Sequence, residues 1–167
     1  IVWDDFLFVG TCFSEDYSNY KTARTNEYAI EILKEYFPKK RIIDLDLKKN
    51  DKVPYQGVLH LDCTFNPIGK DKCIIYKDGF VDESDYQLII DIFGEENCFH
   101  ITPEEMFEMN PNIFSISPEV VVSDETFTRM NDFLRNEWGF TVEEIPYREI
   151  SKMGGLLRCS TMPLVRE

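Results

Sequence analysis

The spacing of apolar residues switches repeatedly between a period of two and a period of 3.6, the mark of strands alternating with helices, and it predicts a mixed α/β (α+β) chain. Residues 2–10 predict a strand. From about Thr25 to Phe37, Tyr28, Ile32, Leu33, Tyr36 and Phe37 fall along one face of a helix that Pro38 ends, and RIIDLDL at 41–47 predicts a short strand. LDCTFNPI and KCIIYKDGF, joined by Gly-Lys-Asp, predict a hairpin. Ser84-Asp85-Tyr86-Gln87 is a capping-box pattern for a helix ending near Phe93-Gly94, followed by the strand NCFHI. Thr102-Pro103-Glu104-Glu105 is a second capping box, with Pro at the first helical position of a short turn to about Glu108. NIFSI and EVVVS then predict a second hairpin around Ser117-Pro118. A helix over Glu125 to Trp138 carries Phe127, Met130, Phe133, Leu134 and Trp138 inward, and FTVEEIPY returns as a strand.

Strand or hairpin, amphipathic helix and short strand thus occur three times, with helices opening near positions 25, 84 and 125. Each unit alone would leave half of its apolar surface in water, so the units are expected to pack side by side around a shared centre. Thr11 to Lys21, polar and aromatic without a period, reads as an inserted surface loop rather than a lid.

Composition narrows the picture. A chain of 167 residues builds one core, and no apolar run approaches the roughly 18 residues of a membrane span. The formal charge of −13 repels a phosphate backbone and leaves no basic stripe, so neither nucleic acid nor a membrane is an expected partner. The five cysteines, Cys12, Cys63, Cys73, Cys98 and Cys159, are odd in number and lack a C-x-x-C pair. A disulfide framework and a metal site are therefore not expected, and the default compartment is a reducing cytoplasm. Ile1 opens directly on a strand-like run, and upstream sequence is expected.

Two histidines limit the choice of general base. In GVLHLD, His60 and Asp62 alternate onto one face of an expected strand while Leu59 and Leu61 take the other. Periodicity alone leaves that pair open between a reactive pair and a solvent-facing strand, whereas His100 reads as structural. Near the end, MGGLLRCSTMP places Gly154 and Gly155 four to five residues ahead of Cys159. A Gly-Gly pair allows close backbone approach or positive φ, and a loop cysteine is a better nucleophile candidate than one inside a hairpin. Cys63 and Cys73 read as packing residues; Cys12, beside the inserted loop, stays a candidate.

Taken together, HLDCTFNPIGKDKCIIY and GGLLRCSTMPLVRE resemble the two C-terminal signatures of the guanidino-group-modifying (pentein) superfamily, and FVGT…ARTNEYAIEILKEYF resembles the repeat before its histidine motif. That superfamily includes amidinotransferases, arginine deiminases and dimethylarginine dimethylaminohydrolases. The resemblance implies an α/β propeller of five ββαβ units, of which residues 1–167 would supply about three as the C-terminal part of one catalytic domain, the N-terminal repeats being missing. It implies Cys159 as the nucleophile forming an amidino-thioether, His60 as the group that protonates the leaving amine and later activates the acceptor, and Asp62 as a ligand of the guanidinium N–H groups. Gly154 and Gly155 match the Gly-rich approach to the nucleophile and are assigned to substrate binding. Leu156-Leu157-Arg158 departs from several members, and Asp4 and Asp5 are left out of the site.

The leading expectation is an amidinotransferase acting on arginine or a related guanidino compound, without cofactor or metal. A deiminase or dimethylargininase hydrolase is the alternative, and a non-catalytic guanidino-binding protein a second one. A purely structural propeller is disfavoured by the co-occurrence of His60, Asp62 and Cys159. An apolar flank left by missing repeats would favour a homodimer.

Overall fold

The computed structural model describes residues 1–15 and 17–162; Asp16 of the inserted loop and Pro163–Glu167 of the terminal signature lie outside the described residues. Three three-stranded sheets follow one another along the chain, each built as an antiparallel pair, a helix and a parallel return. In the first, β1 (Val2–Trp3) pairs with β2 (Phe6–Thr11), α1 is Glu27–Tyr36 and β3 is Arg41–Asp46. The second has β4 (Phe65–Ile68), β5 (Lys72–Ile75), α2 (Glu83–Phe93) and β6 (Cys98–His100). After the short α3 (Pro103–Phe107), the third has β7 (Phe114–Ser115), β8 (Val120–Asp124), α4 (Thr128–Asn136) and β9 (Thr141–Ile145), with α5 (Arg148–Ser151) beyond it.

Several boundaries differ from expectation for local reasons. The single strand over 2–10 is two strands, because Asp4 turns the chain at φ 46. The pattern at Ser84 does not cap: α2 starts one residue earlier, behind Asp82, which makes no side-chain cap. The helix expected from Glu125 begins at Thr128, since buried Asp124 accepts from the Thr126 N–H and hydroxyl (2.9 and 2.6 Å) and holds 124–127 as a turn. The Thr102 box forms in full, with Glu105 N–H to Thr102 Oγ1 at 3.3 Å and Thr102 N–H to Glu105 Oε2 at 2.9 Å.

The middle sheet separates two cores. Cys73 and Ile75 of β5 join Phe8, Leu45, Phe65 and the α2 residues Tyr86, Ile89 and Phe93 in one. Ile74, alternating to the other face, joins Phe99, Val121 and the α4 residues Met130 and Leu134 in the other. A strand covered on both faces explains the unbroken apolar run CIIY. Thus α2 and α4 each share a core with their own sheet and the preceding one.

In α1 the expected apolar face is not the buried one. Ile30 is its buried residue, Ile32 and Leu33 are half-buried, and Tyr28, Tyr36 and Phe37 are exposed, at 73%, 74% and 48%. The apolar stripe is present, but among the described residues no preceding sheet lies against it.

Candidate active site

His60 does not sit on a strand. It is extended (φ −138, ψ 168) and leads into a single 3-10 turn over Leu61–Cys63, and β4 begins only at Phe65. The turn is closed by Cys63 N–H to His60 C=O (3.0 Å) and Thr64 N–H to Leu61 C=O (3.0 Å). Leu61 and Cys63 point into the first core, which leaves the half-buried His60 and Asp62 on the open side. The two groups still converge, through a turn instead of through strand alternation.

Cys159 reaches them from the far end of the chain. Leu156 and Leu157, the residues that depart from the superfamily pattern, are buried in the second core and anchor the loop. Ser160 closes it, donating its N–H to Leu156 C=O (3.1 Å) and its hydroxyl to the same oxygen (2.6 Å). Gly155 adopts φ +131, and a Cβ there would stand 2.9 Å from Cys159 Cβ and 3.4 Å from its sulfur. A side chain at 155 is therefore excluded by conformation and by the close approach alike. Gly154 is also left-handed, at φ +82, facing Leu59.

One ligand-type atom each of His60, Asp62 and Cys159 lies within 4.8 Å of the other two. The Cys159 thiol donates to Asp62 Oδ2 at 3.4 Å. Burial pushes the Cys159 thiol above the ordinary cysteine value, and the Asp62 charge adds to this; the Asn112 side-chain amide and the Leu156 main chain oppose it. Burial also holds His60 below the ordinary imidazole value, helped by Lys49 and Arg24 against the pull of Asp62. In the resting site burial thus disfavours both the thiolate of Cys159 and the protonated imidazole of His60.

Two residues that the pattern of the chain did not single out support these groups. Lys49 is half-buried, and its Nζ donates to the carbonyls of Val58 and Leu59 (both 2.9 Å), the two residues before His60. Asn112, fully buried at the entry to β7, lies between the Asp62 turn and the Cys159 loop. A polar residue beside an apolar run, as in NPNIF, was the one trace of it in the sequence. The other cysteines are buried, and His100 pairs with Glu95 at 3.0 Å, away from the site, in keeping with a structural residue.

His60 opens on a cavity of about 200 Å³ whose lining mixes the cations Arg24 and Lys49 with Thr11, Thr25 and the apolar Leu47 and Leu61. A more apolar cavity of about 340 Å³, lined by Val58, Leu59, Met106 and Met109, includes none of the three reactive groups. Of His60, Asp62 and Cys159, His60 lines the first of these and none lines the second.

Residues 79–166, a stretch that contains Cys159, match the family model described as arginine deiminase. YkgA of Bacillus subtilis (strain 168), an uncharacterized protein, is 29% identical over 167 residues, 99% of this chain and 50% of that protein. An arginine deiminase of Latilactobacillus sakei subsp. sakei (strain 23K) is 39% identical over 67 residues, 40% of this chain and 16% of that one. The fold matches the N-terminal domain of ArgZ, an arginine dihydrolase from the ornithine-ammonia cycle in cyanobacteria, with a TM-score of 0.77, 19% identity, and 97% of this chain and 52% of that one covered. It also matches SxtG, an amidinotransferase from Microseira wollei, at 0.66, with 19% identity over 86% of this chain and 42% of that one. The chain spans about half the length of the first relatives it matches. With the family model covering more than half of its residues, the chain belongs to the arginine deiminase family, within the guanidino-group-modifying (pentein) superfamily.

Proposed function

We infer that this chain carries the Cys-His-Asp part of a site that cleaves a C–N bond of arginine or a related guanidino compound. The observation that carries the reading is the mutual approach of Cys159, His60 and Asp62 within 4.8 Å. Asp62 pairs with the planar cation, giving up the thiol as its partner. With the substrate charge in place the thiol proton passes to His60, and the thiolate attacks the guanidinium carbon. The C–N bond breaks as His60 hands that proton to the departing nitrogen, leaving an amidino-thioether on Cys159. His60, neutral again, then takes a proton from the incoming acceptor, which displaces the sulfur. The cationic cleft of Arg24 and Lys49 beside His60 suits a carboxylate on the substrate's tail.

Water is the acceptor that family membership favours, making the reaction a hydrolysis of the deiminase type. The second reading is transfer to an amine, favoured by HLDCTFNPIG, which resembles the amidinotransferase signature, and by the likeness of fold to SxtG. In the same proposal, residues 1–167 form the C-terminal part of one catalytic domain, three of five ββαβ units of a propeller. The outward apolar stripe of α1, where α2 and α4 have a preceding sheet, supports this.

Carbon NMR of [guanidino-¹³C]arginine incubated with the protein, alone and with candidate amines, separates the outcomes. A ureido carbon appearing without added amine establishes hydrolysis. A guanidino carbon moved onto the amine establishes transfer. An unchanged substrate under both conditions contradicts the proposal.

A further inference from the structure

Asn112 is hydrogen-bonded to both the Asp62 turn and the Cys159 loop. Its Oδ1 accepts from the main-chain N–H of Leu156 (3.0 Å) and of Cys159 (3.1 Å). Its Nδ2 donates to the Asp62 carbonyl (3.3 Å) and to Cys159 Sγ (3.2 Å). Its own carbonyl accepts from Arg158 N–H at 3.1 Å. The orientation of the amide is fixed by chemistry: two N–H donors converge on one of its atoms, which must then be the oxygen, so the other atom is the donor that faces the sulfur. With no exposed surface, Asn112 cannot itself reach a substrate.

We propose that Asn112 is the positioning residue of the nucleophile, a buried amide that ties the Cys159 loop to the His60–Asp62 turn and holds the sulfur by an N–H donor. This rests on the reading of Cys159 as the attacking group. The loop lies outside the three sheets, and the main-chain N–H groups of residues 156 and 159 are both taken by this one oxygen. Around the sulfur stand Asp62, His60 and, behind the turn, Cys63; of these the Asp62 carboxylate disfavours a thiolate. Among the described residues Asn112 is the side-chain donor that favours it. Removing the amide would leave the buried Leu156 N–H and the part-buried Cys159 N–H unpaired as well as the sulfur unsupported.

The test is Asn112→Asp in the protein. The new carboxylate keeps an acceptor for both N–H groups, which favour its charged form, and places an anionic oxygen where the sulfur had a donor. The expected result is a higher midpoint for alkylation of Cys159 by iodoacetamide and a rate at pH 7 at least about tenfold lower, one unit of thiol titration. The KM for arginine stays within about a factor of two while kcat falls. A loop that merely kept its shape would show neither change in alkylation, and a profile identical to wild type overturns the proposal. Alkylation needs no substrate, so a protein inert towards arginine counts against the guanidino reading while leaving this result to be read separately. If Asn112→Asp does not fold, the Asn112 side-chain amide resonances of the wild type serve instead. They should titrate with the alkylation midpoint of Cys159 and lose that step in Cys159→Ser; resonances flat with pH overturn the proposal.

Discussion

The two segments that meet in the site are held from below by different chemistry. The carbonyls before His60 rest on a half-buried ammonium, Lys49, whose charge helps keep the imidazole neutral. The loop of Cys159 rests on an uncharged amide, Asn112, which accepts from the backbone and donates to the sulfur. On the proposed roles, a cation beneath a base and a neutral donor beneath a nucleophile suit the two groups: the base would start unprotonated, and the nucleophile would sit beside Asp62 without a competing charge that pairs with that carboxylate in place of substrate. What differs between the segments is how they manage protons, since neither owes its shape to regular secondary structure.

That comparison can be broken in several ways. The largest effect is expected at the nucleophile: Cys159→Ala should lower turnover of a guanidino substrate by about 10⁴-fold or more, and substantial residual turnover would move the chemistry elsewhere. Gly155→Ala comes next. A Cβ 2.9 Å from Cys159 Cβ at φ +131 must displace the loop, and a misplacement of that kind costs about 10²-fold in kcat; wild-type kinetics would show that the loop is not rigid.

Lys49→Met preserves the apolar stem but removes two hydrogen bonds and the charge. The loss should be about 1–3 kcal/mol of stability in denaturant titration. Because Lys49 lowers the His60 pKa, its removal should raise the imidazole midpoint followed by proton NMR, and a downward shift would reverse the assigned electrostatics. The smallest change is expected at Tyr36→Ser, on the exposed stripe of α1, within about 0.5 kcal/mol. Ile89→Ala in α2, fully buried, should by contrast cost about 2–5 kcal/mol.

Periodicity made most of the fold legible, because three successive sheets follow the same switch of period and α4 buries Met130 and Leu134 of the face its pattern marks. It failed at α1, where a correct apolar stripe has no layer to cover it among the described residues, and at Asp4 and Asp124, where a turn interrupts a run that pattern alone would continue. At the site, residue type and spacing made His60, Asp62, Cys159, Gly154 and Gly155 candidates, and the superfamily resemblance of the two signatures joined them into one site. Spacing did not show their convergence, since Asp62 and Cys159 are 97 residues apart and meet through a turn that was expected to be a strand. Lys49 and Asn112 were hidden for a further reason. Asn112 acts by bonding main-chain groups of segments distant in sequence and Lys49 by bonding two carbonyls before His60, and neither a lysine within a polar run nor an asparagine beside apolar residues carries a pattern that distinguishes such a clamp from a solvated side chain.

The central claim, that Cys159 is a nucleophile for a guanidinium carbon with His60 and Asp62 beside it, is tested most directly by mass spectrometry of the protein quenched in acid shortly after mixing with arginine. The account predicts a covalent mass increase on the peptide containing Cys159 in the wild type and none in Cys159→Ala. Full arginine turnover by the Cys159→Ala protein, or an adduct on any other cysteine with Cys159 unmodified, would contradict it.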